Sequence, residues 1–340
     1  MATRYRSKRF TIGALLAGLV LAVGLTGCGN GTGNAAETAA KGQASPQPDK
    51  KLEKVKYAAF NGVSGLAVRF GAEKGFFKEE GIDVEFISTS DPVAGLTSKE
   101  IDIADVNTTA AIVAGGKGAP IKIVSSMFRT KGPFYLVAKP GINSIAELKG
   151  KKVGAAAFGS GLDAYTKVIL KANGLGANDV TFIANGANEA AYASLESGQV
   201  DATIIHEPFA SLAEKNGKGK LLAKGWDYLP TFHTGVLASN TTFIDKHPEL
   251  VEKLLRAYFK SQDYAKNHLD EYKQYFLKNV KIDADVFDKA FEREKVLWEN
   301  NPNVDVNALN DTQKTQKELG FQDQIYDVNK LLDLRFIPKK

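Results

Sequence analysis

Glycine and serine residues precede two stretches with helical spacing, where a helix could bind an anion. Gly159-Ser160-Gly161 lies directly before the helical pattern Leu162–Ala172, and Asn61–Gly65 occupies a similar place earlier in the chain. The N–H groups in the first turn of a helix lack intrahelical partners, and the helix dipole attracts negative charge there. A plain helix N-cap is the alternative role of Ser160. We expect a small anionic or polar ligand to contact these turns and nearby aromatic walls, namely Asn61, Ser64, Gly65, Phe128, Phe158, Ser160 and Gly161.

The segment His206-Glu207-Pro208-Phe209 follows a predicted strand and begins another helix. His206 could donate a hydrogen bond to a ligand, pair with an anion when protonated, or be a core residue with internal partners. Glu207 near a helix start is favourable for the helix dipole alone, so its position does not require a ligand. Both residues belong to the predicted ligand site, with these alternatives open.

Groups for catalysis or metal binding are sparse in this sequence. The four histidines include no His-Glu-x-x-His pair, and neither a Gly-x-Ser-x-Gly elbow nor a phosphate-binding loop is present. The single cysteine excludes a Cys-cluster zinc site and an internal disulfide framework. Asp102 and Asp105 could form an acid–base pair, but capping of a strand end or a packing role in the lobe is the simpler interpretation. We expect a protein that is not an enzyme and has neither a cofactor nor a metal site.

The N-terminus has the pattern of an export signal. Four Arg and Lys residues within the first nine positions precede the 15-residue apolar run Thr11–Leu25. A helix needs about 20 apolar residues to span a bilayer, so this run suits a signal peptide better than a transmembrane helix. The run ends in Leu25-Thr26-Gly27-Cys28, which resembles a bacterial lipobox. We therefore predict a lipoprotein signal peptide at residues 1–27, lipidation of Cys28, and attachment to a membrane through that anchor.

The chain has 44 basic and 39 acidic residues, a formal charge of +5 that would suit a nucleic-acid-binding protein. Four of the basic residues and none of the acidic ones lie in residues 1–27, so the rest of the chain is nearly neutral. A nucleic-acid surface needs a dense basic stripe, whereas Lys149–Lys152 and Lys215–Lys220 are short and interrupted by glycine. We interpret both clusters as solvated loops and predict no nucleic-acid partner.

Short apolar strands alternate with helical patterns from residue 54 onward, which favours an α/β fold with crossover helices. Before them, residues 28–53 are rich in Gly, Ala, Asn, Gln and Pro and predict a flexible tether. The predicted strands form a first set and a second set. The first set is Val55–Phe60, Val84–Ser88, Ile101–Val106, Ile121–Ser126 and Phe134–Ala138. The second set is Lys152–Ala156, Val180–Ala184, Ala202–Ile205 and Leu221–Ala223.

The two sets share an internal pattern. Ser64-Gly65-Leu66 is followed by an Asp-Val pair 19 positions after the serine, and Ser160-Gly161-Leu162 is followed by the same pair at the same distance. Next, both sets contain a Leu and an Asp that are six positions apart, ending at Asp102 and Asp201. Three matches in register predict two similarly built lobes.

Amphipathic helical patterns follow the second set. We expect these helices to pack on the first lobe, so that the chain crosses between the lobes twice, near Ala138–Gly141 and Thr234–Ala238. This places lobe 1 at residues 54–138 plus 237–340 and lobe 2 at residues 139–236. Two crossings make a hinge beside a cleft. The predicted helices are Pro248–His268, Glu271–Asn279, Asp285–Asn300 and Asp327–Leu334.

Several motifs together resemble one family of solute-binding lipoproteins. Their order and spacing over residues 55–265 are similar to the nitrate/sulfonate/taurine branch of ABC-importer receptors, which also includes riboflavin and thiamine-pyrimidine binders. The motifs are the lipobox, Ala72-Glu73-Lys74-Gly75-Phe76-Phe77 with Glu80-Gly81-Ile82-Asp83-Val84, Leu148–Gly154, Gly159-Ser160 before a helix, and Val200-Asp201-Ala202 leading to Glu207-Pro208.

The resemblance implies a two-lobed periplasmic-binding-protein fold of type II that closes on its ligand and docks on a membrane ABC permease. It implies that the protein binds a sulfonate, nitrate, taurine or related solute outside the cytoplasm, on the outer face of the cell membrane or in the periplasm. We expect the protein to be a monomer. In this family the Gly159-Ser160-Gly161 turn is the usual anion contact, and the segment before Glu207-Pro208 often carries Trp where this chain has His206.

Two alternative functions are open. Thiamine-pyrimidine synthases are similar enzymes on the same fold, but they depend on histidine and on a cysteine-rich segment that this chain lacks. The other alternative is a surface sensor domain whose lobes signal to a partner.

Overall fold

A computed structural model describes residues 51–339 of the chain. Within this range ten strands form two five-stranded sheets. The predicted signal peptide and Cys28 lie outside the described residues, as does nearly all of the predicted tether. The strands are β1 (Glu53–Ala58), β2 (Ile82–Phe86), β3 (Ile103–Asn107), β4 (Ile121–Ser126), β5 (Tyr135–Ala138), β6 (Lys152–Gly154), β7 (Thr181–Ile183), β8 (Ala202–Ile205), β9 (Lys220–Lys224) and β10 (Gly235–Asn240).

The two sheets have the same topology. The order is β2-β1-β3-β10-β4 in the first and β7-β6-β8-β5-β9 in the second. In each sheet three parallel strands are followed by an antiparallel strand, β10 or β5, which also pairs antiparallel with the last strand. We call the first sheet with its helices the first lobe and the second sheet with its helices the second lobe. The predicted likeness of the two lobes is confirmed at this level.

The internal sequence match also has a structural counterpart. Asp102 accepts a hydrogen bond from the backbone N–H of Lys56 at 2.8 Å, and Asp201 accepts one from Lys152 at 3.0 Å. Lys56 lies in β1 and Lys152 in β6, which occupy the same place in their sheets. Asp102 directly precedes β3 and Asp201 directly precedes β8, so the two aspartates tie the starts of equivalent strands to the neighbouring strand, in agreement with the strand-end interpretation of Asp102.

One strand belongs to a different sheet from the one predicted. The strand at Phe134–Ala138 was expected in the first set, but β5 lies in the second sheet, between β8 and β9. Its residues are buried on both faces, so their pattern does not indicate which sheet they join. The register is set by pairs such as Tyr135 with Ile205, which are distant in the sequence. The first crossing between the lobes therefore lies before Tyr135 and not near Ala138–Gly141.

The helices cover the sheets, and the long C-terminal helices pack on the first lobe as predicted. Helix Pro248–Asn267 places Leu254, Tyr258 and its other apolar residues into the core of the first lobe. The helices are α1 (Ala67–Glu73), α2 (Phe76–Glu79), α3 (Pro92–Ser98), α4 (Thr108–Gly116), α5 (Gly161–Ala172), α6 (Asn188–Glu196), α7 (Phe209–Lys215), α8 (Thr241–Lys246), α9 (Pro248–Asn267), α10 (Leu269–Asn279), α11 (Ala284–Glu294) and α12 (Val306–Glu318).

Two details at the C-terminal end differ from the prediction. Helix α12 was not predicted, because its sequence is mostly polar and gives a weak periodic signal. Asp305 begins it by accepting hydrogen bonds from the N–H groups of Asn307 and Ala308, at 2.9 and 3.1 Å. The helix predicted at Asp327–Leu334 forms only as short 3-10 turns at Val328–Leu331 and Leu334–Phe336.

In the part of the chain that the structure covers, no helix combines the length and the apolar character that crossing a bilayer requires.

Candidate functional site

A cavity of about 570 Å³ lies between the two lobes. On the first lobe its wall includes the carboxyl ends of parallel strands, with Ala58 ending β1 and Asp105 in β3. On the second lobe it is lined by Phe134, just before β5, and His206, just after β8. Ligands of open α/β sheets bind at this edge of the strands. The volume is in the range of pockets that hold organic ligands.

Arg129, in the segment between β4 and β5, brings a buried positive charge to the cavity wall. Its Nη1 donates to Ser64 Oγ at 2.8 Å and lies 3.5 Å from Oε2 of Glu294. Its guanidinium lies 4.7 Å from the ring centroid of Phe60 and 4.8 Å from that of Phe128. Two aromatic faces and two polar partners therefore fix the group. A guanidinium has five N–H donors, and within residues 51–339 Ser64 accepts one of them, which leaves capacity for an anionic ligand.

A second arginine lines the same cavity. Arg69 extends from α1, and its guanidinium lies 4.3 Å from the ring centroid of Phe86. Asp105 also lines the cavity and carries the opposite charge. Both of its carboxylate oxygens have protein partners: Oδ1 accepts a hydrogen bond from the Tyr57 hydroxyl at 2.6 Å, and Oδ2 accepts one from the Phe60 N–H at 2.7 Å. Burial raises the pKa of Asp105 to about 6, against the effect of these hydrogen bonds. Asp105 therefore anchors the loop that begins at Phe60.

His206 lines the cavity from the second lobe and is 5% exposed. Its ring packs edge-on against Phe60 and Phe134, with centroids 5.7 and 4.8 Å apart. Among the described residues its Nδ1 has no hydrogen-bond partner. Burial, together with the charge of Arg129, lowers the pKa of His206 to about 3. The ring is therefore neutral near pH 7, which disfavours pairing of a protonated His206 with an anion and suits a hydrogen bond to a ligand.

Two asparagines add amide groups to the wall. Asn61 follows the loop residue that Asp105 anchors and lines the cavity from the first lobe. Asn188 begins α6 with a φ of +53°, a left-handed conformation that asparagine tolerates better than most residues. Its Oδ1 is buried and has no partner within residues 51–339. Such a group has unused hydrogen-bonding capacity beside the cavity.

Three residues predicted for the site do not line the cavity but pack behind the residues that do. Ser64 donates to Glu294 and accepts from Arg129, so both sides of its hydroxyl have protein partners. A Cβ atom at Gly65 would come within 2.6 Å of the Phe60 ring and 2.7 Å of the Phe60 carbonyl oxygen, so only glycine fits. Phe128 packs edge-on against Trp298, with centroids 5.9 Å apart. In this structure the three residues support Arg129 and Phe60.

The remaining predicted residues have other contacts. Ser160 is the N-cap of α5 and accepts the Asp163 N–H at 3.3 Å, and Gly161 is the first residue of that helix. Leu162, the next residue along, lines the cavity, so the turn lies close to its rim. Phe158 is 60% exposed. Glu207 is fully buried and pairs with Arg293 at 3.0 Å.

The sequence prediction thus identified Asn61 and His206 among the residues of the cavity wall, and it missed Arg69, Arg129 and Asn188. A signal for Arg129 was present. Arg129 is the third residue after the apolar strand β4, near the end of a strand where α/β proteins bind ligands. Arg69 has no comparable signal, because a charged residue on a helix is usually solvated.

No group of three or more His, Cys, Asp or Glu side chains within residues 51–339 has a geometry that could hold a metal ion.

Solved structures place this architecture in a known class. The periplasmic aliphatic sulphonate-binding protein SsuA from Escherichia coli superposes with a TM-score of 0.67 at 17% identity, over 85% of this chain and 94% of that protein. The protein therefore has the periplasmic-binding-protein fold predicted from its sequence.

Sequence comparison then gives the family. The NMT1/THI5-like family matches residues 66–272, and the chain belongs to it. A putative aliphatic sulfonates-binding protein of Bacillus subtilis is 30% identical over 299 residues, 85% of this chain and 89% of the relative. An enzyme also matches. The Saccharomyces cerevisiae 4-amino-5-hydroxymethyl-2-methylpyrimidine phosphate synthase THI13 is 27% identical over 242 residues, 65% of this chain and 69% of that enzyme.

Proposed function

We propose that this protein is the extracytoplasmic solute-binding receptor of an ABC importer and that it captures a sulfonate between its lobes. The observation that carries the proposal is the buried Arg129 on the wall of an interlobe cavity. A sulfonate is a permanent anion, and a guanidinium binds such oxyanions with paired N–H donors. The names of the Bacillus and Escherichia relatives support the same class of solute.

The rest of the cavity favours a sulfonate with an organic tail over nitrate. Its volume of about 570 Å³ is much larger than a small inorganic anion needs. Apolar side chains line it beside the arginines, including Ile87, Met127, Phe134 and Leu162. A charged head near Arg129 and an apolar tail against these residues would match both parts of the wall.

Calorimetric titration and thermal unfolding in the presence of butanesulfonate, nitrate and a hydroxymethylpyrimidine test the proposal. Butanesulfonate should bind and raise the midpoint of thermal unfolding, because a ligand that binds the folded state stabilises it. Nitrate should bind much more weakly. Tight binding of the pyrimidine without any sulfonate binding would refute the proposed solute class.

We also propose that the protein is not an enzyme, although the family includes synthases. The family resemblance implies that such synthases depend on a cysteine-rich segment, whereas the one cysteine of this chain is Cys28, in the predicted lipobox. The protein should be incubated with each solute that it binds, and the solute then analysed by mass spectrometry. The mass of the solute should be unchanged. A product that accumulates with time would support the enzyme alternative.

The proposed attachment is a lipid on Cys28, after removal of residues 1–27, with residues 28–53 as a tether. A receptor held in this way would stay near its permease on the outer face of the membrane. Mass spectrometry of the mature N-terminal peptide should find an acylated Cys28. Cys28→Ala should leave the protein unprocessed or release it from the membrane fraction, and sizing chromatography should give a monomer.

A further inference from the structure

The arginine on the cavity wall, Arg129, is the first of three buried polar residues that are linked by hydrogen bonds. Arg129 lines the cavity and donates to Ser64 Oγ at 2.8 Å, and the Ser64 hydroxyl donates to Oε2 of Glu294 at 2.8 Å. The three residues are between 1% and 6% exposed. The carboxylate of Glu294 lies 3.5 Å from Arg129. In the proposed complex Arg129 would therefore face one anion behind it and a second anion, the ligand, in front.

We propose that binding of a sulfonate against Arg129 is accompanied by uptake of one proton from solvent by the carboxylate of Glu294. The inference rests on the proposed function and adds proton linkage to it. Among the described residues, Arg129 and Arg69 are the cations that line the cavity. The carboxylates of Glu294 and Asp105 already oppose them, so the ligand adds one anion more than they compensate. An uncompensated charge is costly in a buried site. Protonation of Glu294 removes one negative charge. The neutral carboxyl keeps its contact with Ser64, because it can accept from that hydroxyl or donate to it.

Among residues 51–339, Arg129 is the cation that faces Glu294 from a neighbouring segment. Ser64 approaches from the segment before α1, and Glu207 contributes a like charge from the end of β8. The Glu207 charge is paired with Arg293, which lies next to Glu294 in α11. Tyr135 in β5 and Tyr272 in α10 are both buried, and burial raises the pKa of each, so both stay neutral.

The carboxyl group of Glu294 changes its protonation near neutral pH, where ligand binding can be measured. Burial raises the pKa of Glu294 to about 7, and the attraction of Arg129 is the largest effect that opposes the rise. A ligand anion beside Arg129 offsets that attraction and raises the pKa of Glu294 further. Above about pH 7 the complex then binds more protons than the free protein, so affinity falls as pH rises, by up to about tenfold per pH unit. Below about pH 7 the carboxyl is protonated in both states and affinity levels off.

Titration calorimetry with butanesulfonate tests this inference on the full chain. The ligand's own charge is constant, so heats measured in two buffers of different protonation enthalpy give the number of protons taken up. Between about pH 7.5 and pH 8.5 the value should approach one. This range lies above the pKa of Asp105, about 6, which keeps that cavity carboxyl from dominating the signal.

Glu294→Gln should abolish the proton uptake, remove the pH dependence of Kd in this range and bind more tightly than the wild type at about pH 8.5. A purely structural role for Glu294 would give none of these changes. Glu299→Gln is the matched control: this exposed carboxyl lies five positions further along, accepts a hydrogen bond from Thr130, and should leave proton uptake unchanged.

The outcomes separate the two proposals. Butanesulfonate binding by the wild type without proton uptake would overturn the linkage and leave the receptor function standing. Proton uptake that persists in Glu294→Gln would place the proton elsewhere and overturn the assignment. If no sulfonate binds, the proposed function fails and the linkage fails with it. If Glu294→Gln folds poorly, the pH at which proton uptake by the wild type begins makes the assignment, since it is about 7 for Glu294 and about 6 for Asp105.

Discussion

Arg293 and Glu207 form an ion pair that joins the two lobes, with Nη1 of the arginine 3.0 Å from Oε1 of the glutamate. Glu207 follows β8 of the second lobe and is fully buried. Arg293 lies in α11, whose apolar face, including Phe287, packs into the core of the first lobe. Ser211 donates two further hydrogen bonds to Glu207, at 2.9 Å each. The lobes are therefore coupled at a buried charge.

Arg293→Met should destabilise the protein by about 3 kcal/mol, because it leaves Glu207 buried without its cation. Burial already raises the pKa of Glu207 against the attraction of Arg293. Without the arginine the pKa of Glu207 rises further, so the folded variant binds a proton that the unfolded chain releases. Its stability relative to wild type should therefore recover as pH falls.

Urea denaturation at several pH values measures this effect. The matched control is Lys289→Met, which removes an exposed partner of Glu214 and should cost at most about 1 kcal/mol. Equal losses for the two variants would contradict a special role for the buried pair.

Arg129→Met should weaken butanesulfonate binding by about ten- to a hundredfold, since a hydrogen bond to a charged group contributes roughly 1.5–3 kcal/mol. Calorimetric titration at about pH 6.5 checks this with Glu294 mainly protonated in both proteins. Arg256→Met is the control, because Arg256 lies on α9, pairs with Glu80 after α2, and is not among the residues that line the cavity. Unchanged affinity in Arg129→Met would exclude this residue from the ligand site.

The imidazole of His206 should not titrate between about pH 5 and pH 8, because burial lowers its pKa to about 3. Its NMR signals, assigned by their loss in His206→Gln, should keep one chemical shift over this range. A shift with a midpoint near the ordinary histidine pKa of about 6.5 would show that the ring is hydrated or paired with an anion.

Ser160→Ala should lower stability by about 1 kcal/mol, because the N-cap of α5 loses its hydrogen bond from the Asp163 N–H. Gly161→Ala is a suitable control, since its Cβ would meet no atom within 4 Å. The sequence also predicts a ligand contact at this turn. Ser160→Ala combined with Gly161→Pro should then weaken binding at least tenfold, about 1.4 kcal/mol. A loss of stability with unchanged affinity would leave Ser160 as a helix cap alone.

Local sequence patterns predicted most of the strands because each strand is a short apolar run bounded by turns. Strands β4 and β8 have the predicted bounds. The prediction failed where the local sequence pattern is weak or does not indicate the partner strand. Helix α12 has few apolar residues, and β5 is buried on both faces, so nothing in its own residues specifies the second sheet.

The site was harder to predict than the fold for a physical reason. His206 is conspicuous because a polar residue directly follows an apolar strand. By contrast, the hydroxyl of Ser64 binds Glu294, which is 230 positions away in the sequence. Local spacing could suggest that Ser64 starts a helix, but it could not reveal that partner. Arg129 likewise gains its role from Phe60, Ser64 and Glu294, which only the folded chain brings together.

The place of β10 has a consequence for the order in which the protein folds during synthesis. Strand β4 pairs with β10 on one side and meets Leu332 on the other, so both partners come from beyond residue 234. The ribosome must release the whole second lobe before the first sheet can close. Strands β5–β9, in contrast, come from one continuous stretch and can assemble once residue 224 has emerged. The half of the protein that is translated first is therefore the half that is completed last.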